Sequence, residues 1–125
     1  MTPFGAKLRQ MRKARGLTLK TMAEGLQISA AFLSALEHGK RGRPSPILMR
    51  QICGFFHIIW DEAEELERLA RISHPRVVVD TAGLSPKATE LANTLAERIG
   101  ELEELELDAL LARVKHAGVK TKRRG

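Results

Sequence analysis

The chain has 125 residues, 21 Lys and Arg against 15 Asp and Glu, a net charge of +6 and 43% hydrophobic residues. That length accommodates one domain with an extension and is too short for a two-lobed enzyme with a cleft between its lobes. It holds no run of about 18 uncharged apolar residues to span a membrane, and Cys53, the single cysteine, excludes an internal disulfide and a multi-cysteine zinc site.

Alanine, leucine, glutamate, lysine and arginine dominate, which predicts an all-α chain. Phe4, Leu8 and Met11 recur at helical spacing over residues 4–14, with Lys7, Arg9, Arg12 and Lys13 between them and Gly16 closing the helix. The basic turn taken so early leaves no apolar centre for a secretory signal, so a cytoplasmic chain is expected. Thr18 caps a second helix through Leu26, with Leu19, Met22, Ala23 and Leu26 facing inward. Gln27 and Ile28 form a tight turn, and Ser29 caps a third helix over 30–37 with Leu33 and Leu36 inward and Gly39 as its left-handed stop. Ser45 followed by Pro46 opens a fourth helix to about Phe56, carrying Ile47, Leu48, Ile52, Phe55 and Phe56, with Cys53 as a buried thiol on the same stripe.

Asp61 is then expected to cap a fifth helix to about Ser73, with Ala63, Leu66, Leu69, Ala70 and Ile72 inward and His57 and Trp60 filling the bend before it. Val77-Val78-Val79 is the one β-like run, too short to found a sheet but able to pair with its copy in a second chain. Ser85 and Pro86 restart a helix, on which apolar residues recur at 88, 91, 92, 95, 99 and 102. Gly100 and the acidic run Glu101–Glu106 are expected to bend or break it, and a last helix from about Leu107 to His116 to bury Leu107, Leu110, Leu111 and Val114. The predicted organisation is a five-helix unit over 1–74, a linker over 75–83, a helical region over 84–117 and a basic, disordered tail over 118–125.

Charge is unevenly spread along these elements. Residues 1–43 carry nine cations against two acids, 44–80 four against six, and 81–125 eight against seven. Within the last stretch five acids fall in 101–108, while 113–125 holds six cations and no acid. A basic front of this kind suits a polyanionic partner.

The segment LRQMRKARGLTLKTMAEGLQISAAFLSALEHGKRGRPSP carries a spaced pattern: Leu8, Arg12, Gly16-Leu17-Thr18, Ala23, Ile28-Ser29, Leu33, Leu36, Glu37 and Gly39. On these residues Phe4–Ser73, a little over half the chain, resembles the DNA-binding domain of the Xre/Cro family of phage-repressor-like regulators. The resemblance implies an all-α fold: a five-helix lambda-repressor-like helix-turn-helix domain, here followed by a small helical extension. It also implies a cytoplasmic, nucleoid-associated regulator, a repressor that binds double-stranded DNA as a homodimer, with helix 29–37 in the major groove. Base-facing positions would then be Ser29, Ala30, Ala31, Phe32, Ser34 and Ala35, and phosphate-facing ones Thr18, Lys20, Gln27, Lys40, Arg41 and Arg43.

The chain departs from well-specified repressors at 30, 31 and 35, where alanine stands in place of glutamine, arginine or asparagine. Alanine touches a thymine methyl but makes none of the bidentate hydrogen bonds, each worth roughly 1–3 kcal/mol, that separate one base from another. Poor direct readout and rich phosphate contact are therefore expected, with DNA shape supplying the rest. A second class stays open for the same reason: a protein-binding antiactivator or antitoxin on a helix-turn-helix scaffold, with a protein partner. No enzyme, cofactor or metal is expected, since His38, His57, His74 and His116 fall on different elements and no glycine-rich phosphate loop or nucleophile elbow occurs. Beyond the five-helix unit, the stripes Leu91, Leu95, Ile99, Leu102 and Leu107, Leu110, Val114 either fold back on the first domain or pair with a second chain as a dimerisation module.

Overall fold

A computed structural model describes residues 1–117; the basic tail predicted for 118–125 lies outside the described residues. Contacts divide the chain into one unit spanning Met1–Val77 and a second beginning at Val78. The first holds five helices: α1 (Pro3–Ala14), α2 (Leu19–Leu26), α3 (Ala30–Glu37), α4 (Pro46–Phe56) and α5 (Asp61–Arg71). The second holds α6 (Pro86–Arg98), a single 3-10 turn at Ile99–Glu101, and α7 (Glu104–His116). No strand occurs among the described residues, and Val77, Val78 and Val79 belong to no helix or strand, exposed by 70%, 94% and 65%.

Five of the starts obey local capping chemistry. The side chains of Thr18, Ser29, Ser45 and Ser85 accept hydrogen bonds from the backbone N–H of Thr21, Phe32, Leu48 and Ala88, each three residues on, which satisfies a donor the helix leaves unpaired. Thr2 does the same for α1 through Gly5. The fifth helix departs from expectation. Asp61 is its first residue, and Trp60 holds the cap position at φ 55°, ψ −123° with no side-chain cap bond. Asp61, Glu62 and Glu64 instead lie in the first turn, where the partial positive charge of the helix end favours acids.

The core of the first unit is built from Phe4 and Leu8 of α1, Met22, Ala23 and Leu26 of α2, Leu33 and Leu36 of α3, Leu48, Met49, Ile52 and Phe56 of α4, and Leu66 and Ala70 of α5. Of the residues expected inside, Ile47 is 63% exposed and Ile72 54%, and Met11, Leu19, Ala63 and Leu69 are half-buried. Packing turns 48, 49, 52 and 56 of α4 inward, replacing Ile47 by Met49; Ile72 falls past the end of α5, as its C-cap. Phe55 and Cys53 are half-buried, packed against the core from outside. Cys53 is therefore not the enclosed thiol expected. It lines a groove of about 810 Å³ between α4 and α5, together with Met49, Ile58, Ile59 and Trp60. Trp60 is 79% exposed and His57 is also exposed, so neither fills the bend. His57 adopts φ 56° as the left-handed C-cap of α4.

Close approach of α1 and α3 explains one glycine. A β-carbon on Gly5 would stand 2.6 Å from the Glu37 carbonyl oxygen, inside any permitted contact, so only hydrogen fits. The two ends of the unit are closed by Ser73, buried after α5, whose Oγ accepts from the Phe4 N–H at 2.8 Å and donates to the Leu69 carbonyl at 2.5 Å.

The second unit corrects the expected break. Glu104 and Glu106 do not interrupt the helix but begin it: α7 starts three residues before Leu107, with Glu103 as cap and a reciprocal bond between Glu103 and Glu106. Acids in the first turn and a capping box stabilise a helix start rather than dissolve one. The interruption is confined to the 3-10 turn and to Leu102–Glu103. No residue of α6 or α7 is buried, including Leu107, Leu110, Leu111 and Val114, for which burial was expected. Leu91, Ile99, Leu110, Leu111 and Val114 are exposed, and Leu95, Leu102 and Leu107 half-buried.

Candidate nucleic-acid interface

The α2–α3 corner is formed by three residues. Gln27 takes φ 60° as the left-handed C-cap of α2 and donates its N–H to the Glu24 carbonyl; Ile28 follows, bonded to Ala23, and Ser29 caps α3. Ala23, 2% exposed, is small enough for the helices to cross closely. α3 buries Leu33, Leu36 and Glu37 and turns the opposite side outward. Ser29, Ala30 and Ala31 are exposed there, while Phe32, Ser34 and Ala35 are half-buried. Ala31, Ser34, Ala35, His38 and Lys40 line a shallow hollow of about 340 Å³ on this side.

His38, exposed at the end of α3, also belongs to this side. It lies one helical turn beyond Ser34 and Ala35 on the same face, with its Nδ1 2.9 Å from the Ser34 carbonyl oxygen and 3.3 Å from Ser34 Oγ. A carbonyl only accepts, so the 2.9 Å bond requires a proton on Nδ1, which leaves Nε2 of the neutral ring as an acceptor.

After α3 the loop folds back on the helix. The N–H groups of Lys40 and Arg41 both bond to the Ala35 carbonyl, at 2.9 and 3.2 Å. The Arg41 guanidinium stands over the Phe32 ring, 5.4 Å from its centre, a cation–π contact that ties the loop to the first turn of α3. Gly39 makes the fold-back possible at φ 81°, where a β-carbon would also meet the Thr2 nitrogen at 2.8 Å. Thr18, Lys20, Gln27, Lys40, Arg41 and Arg43 are all exposed, and none of the four cations among them takes part in an ion pair found among the described residues. Thr18 is partly committed: its Oγ1 accepts from the Thr21 N–H and donates to Thr21 Oγ1.

Two arginines of the basic front prove to be structural. Arg12 makes a two-armed pair with Glu37, Nε to Oε2 at 2.7 Å and Nη2 to Oε1 at 3.1 Å, and its Nη1 donates to the Leu17 carbonyl at 2.8 Å. The side chains are 11% and 1% exposed. Hydrogen bonding to Glu37 holds the Arg12 guanidinium above its ordinary pKa, against the opposing effect of burial. Arg15 donates to the carbonyls of Phe55 and Phe56 and stacks on the Phe56 ring at 4.9 Å, closing the end of α4. Both lie outside the candidate surface. Of the seven other cations, Lys7, Arg9 and Lys13 are on α1, while Lys20 is on α2 and Lys40, Arg41 and Arg43 are on the loop after α3.

An exposed short helix, set across a second helix and bordered by unpaired cations, is the arrangement of a helix-turn-helix module. A family model described as a helix-turn-helix domain matches residues 3–74, more than half of the chain, and the chain belongs to that family. Two proteins of Bacillus subtilis (strain 168) are similar to it. One is the uncharacterized HTH-type transcriptional regulator RghRB, 38% identical over 61 residues, which cover 49% of this chain and 44% of that protein. The other is the HTH-type transcriptional repressor RghR, 40% identical over 52 residues, 42% of this chain and 38% of that protein. The chain thus matches less than half the length of either relative. No solved structure matches it significantly. Among the described residues no helix is long and apolar enough to cross a membrane, and no group of three His, Cys, Asp or Glu side chains is placed to hold a metal ion.

Proposed function

We propose that the chain is a DNA-binding transcriptional regulator, a homodimeric repressor that inserts α3 into the major groove of double-stranded DNA. The observation that carries this is the exposed side of α3, with Ser29, Ala30 and Ala31 uncovered, Thr18, Lys20 and Gln27 exposed on the chain before it and Lys40, Arg41 and Arg43 exposed on the loop after it. Phosphate contacts from those two flanks would set register and affinity, and α3 would touch base edges. Small side chains there limit base-specific hydrogen bonding to Ser29, Ser34 and His38, so thymine methyls and groove shape carry much of the discrimination. Repression is supported by RghR, a relative described as a repressor. The apolar residues of the second unit (Leu91, Leu95, Ile99, Leu102, Leu107, Leu110, Val114), none of them buried, support dimerisation through that unit, as twofold partners reading two half-sites.

This assigns binding rather than catalysis, with His38, His57, His74 and His116 dispersed over separate elements and a nucleoid-associated place in the cytoplasm. The alanine-lined side of α3 favours one competing function, recognition of a protein by the same scaffold. Titrating binding to a random duplex against salt separates the two. Affinity that falls steeply as salt rises, with a slope of several phosphate equivalents, supports the DNA reader; failure to bind duplex even at low salt overturns it in favour of the protein partner.

A further inference from the structure

α7 buries no residue. At 3.6 residues per turn, Leu107, Leu110, Leu111 and Val114 fall on one side of it, and the last three are exposed by 42%, 54% and 65%. A helix of this length is marginal in water without something to cover its apolar side. The placement of its charges says what that cover is. One flank of the stripe carries Glu104 and Asp108 toward the amino end and Lys115 toward the carboxyl end; the other carries Glu106 and then Arg113. The side opposite the stripe holds Leu105, Ala109, Ala112 and His116, with no Asp, Glu, Lys or Arg. Acids first and bases last also suit the helix dipole. The dipole does not explain why every one of these charges borders the stripe and none takes the opposite side.

Each flank therefore runs from negative to positive. Two such helices packed in parallel set acid against acid and base against base. Packed antiparallel, about a twofold axis at Leu110–Leu111, they place Leu107 against Val114 of the second copy, Glu104 and Asp108 on either side of Lys115 of the second copy, and Glu106 beside Arg113 of the second copy. By symmetry every contact is made twice.

We propose that α7 is a self-recognition helix that pairs antiparallel with α7 of a second copy of this chain. The proposal rests on the homodimer proposed above and adds its orientation and the residues that enforce it. The test uses the full chain with Cys53→Ser, so that no native thiol competes. Leu107→Cys and Val114→Cys are introduced in separate chains, mixed and mildly oxidised; peptide mapping identifies the disulfides, and sedimentation gives the oligomeric state. A disulfide needs Cα atoms within about 7 Å, whereas the two copies of residue 107 in the antiparallel pair stand about 10 Å apart along the axis. Bonds between 107 and 114 should therefore far outnumber same-site bonds.

A dimer with same-site bonds only, or with no bond at either position, overturns the antiparallel pairing while leaving the homodimer standing. A monomer overturns both. Charge reversal gives a second readout without thiols. Lys115→Glu should weaken self-association about tenfold, from two attractive clusters made repulsive, and mixing with a Glu104→Lys, Asp108→Lys chain should restore it. Absence of either effect also overturns the pairing.

Discussion

Arg12→Ala should be among the most damaging single changes in the first unit, though the residue looks from the sequence like a solvated cation. Its guanidinium meets both carboxylate oxygens of Glu37, and Glu37 is fully buried at the carboxyl end of α3. Truncating Arg12 leaves that carboxylate charged and enclosed, a loss of roughly 3–5 kcal/mol. It also removes the donor to the Leu17 carbonyl, which can rehydrate, so little is added. Glu37→Gln keeps the volume and one hydrogen bond, and Arg12, 11% exposed, can turn toward water; a cost nearer 2 kcal/mol is expected. Against a total stability of about 5–15 kcal/mol, the first change removes a large share and the second a moderate one. Urea unfolding followed by helical circular dichroism measures both, and the double variant closes a cycle that isolates the coupling. If Arg12→Ala costs less than about 1 kcal/mol, as an exposed pair would, or if the two changes simply add, the pair is not the clamp between α1 and α3 described here.

Gly5→Ala should cost more than about 2 kcal/mol, because its β-carbon would collide with the backbone of α3 and not with a movable side chain; a thermal melt that is unchanged would contradict the close crossing. Replacing Lys40, Arg41 and Arg43 together by alanine should weaken binding on all DNA sequences and flatten the salt dependence by up to about three phosphate equivalents; an unaltered slope removes the loop from the interface. Ala31→Gln, at an exposed position, should leave stability within about 0.5 kcal/mol and move the preferred base toward adenine, which selection of bound duplexes would reveal. The Cys53 thiol is pushed above its ordinary pKa by burial, with the charge of Glu67 adding to the effect. Alkylation at neutral pH should therefore be slower than for the unfolded chain and accelerate as pH rises through the alkaline range, where thiolate forms; equal rates folded and unfolded would refute this.

The features that sequence reading reached were those decided within a few residues. Thr18, Ser29, Ser45 and Ser85 cap because an oxygen on the side chain meets an amide three positions on, and a serine followed by proline marks such a start without any knowledge of the fold. The turn at Gln27-Ile28 and the stop at Gly39 are of the same kind. What escaped depended on distance along the chain. Arg12 and Glu37 were each visible as members of a spaced pattern, but 25 positions separate them, and charged residues read singly are assigned to solvent. Arg15 on Phe56 and Arg41 on Phe32 were missed for that reason too. The phase of α4 is ambiguous in the sequence because Ile47 and Met49 are both apolar; only packing decides which turns inward. At α7 the acidic run reads as a helix breaker, whereas its capping geometry makes it a helix start. In the candidate interface, exposure of Ser29, Ala30 and Ala31 followed from the inward positions of Leu33 and Leu36, whereas His38 joins that side only through its bond to Ser34.

The clamp at Glu37 also bears on how such a protein changes over generations. α3 is held by residues on its inner side, Leu33, Leu36 and Glu37, while the outer positions 30 and 31 are exposed. A duplicated gene could substitute either of these two alanines and acquire a different target site while every contact that folds the domain is inherited intact. Selection would meet stability and target choice on separate residues, and a lineage carrying this scaffold can diversify its binding sites by single steps, each of them viable.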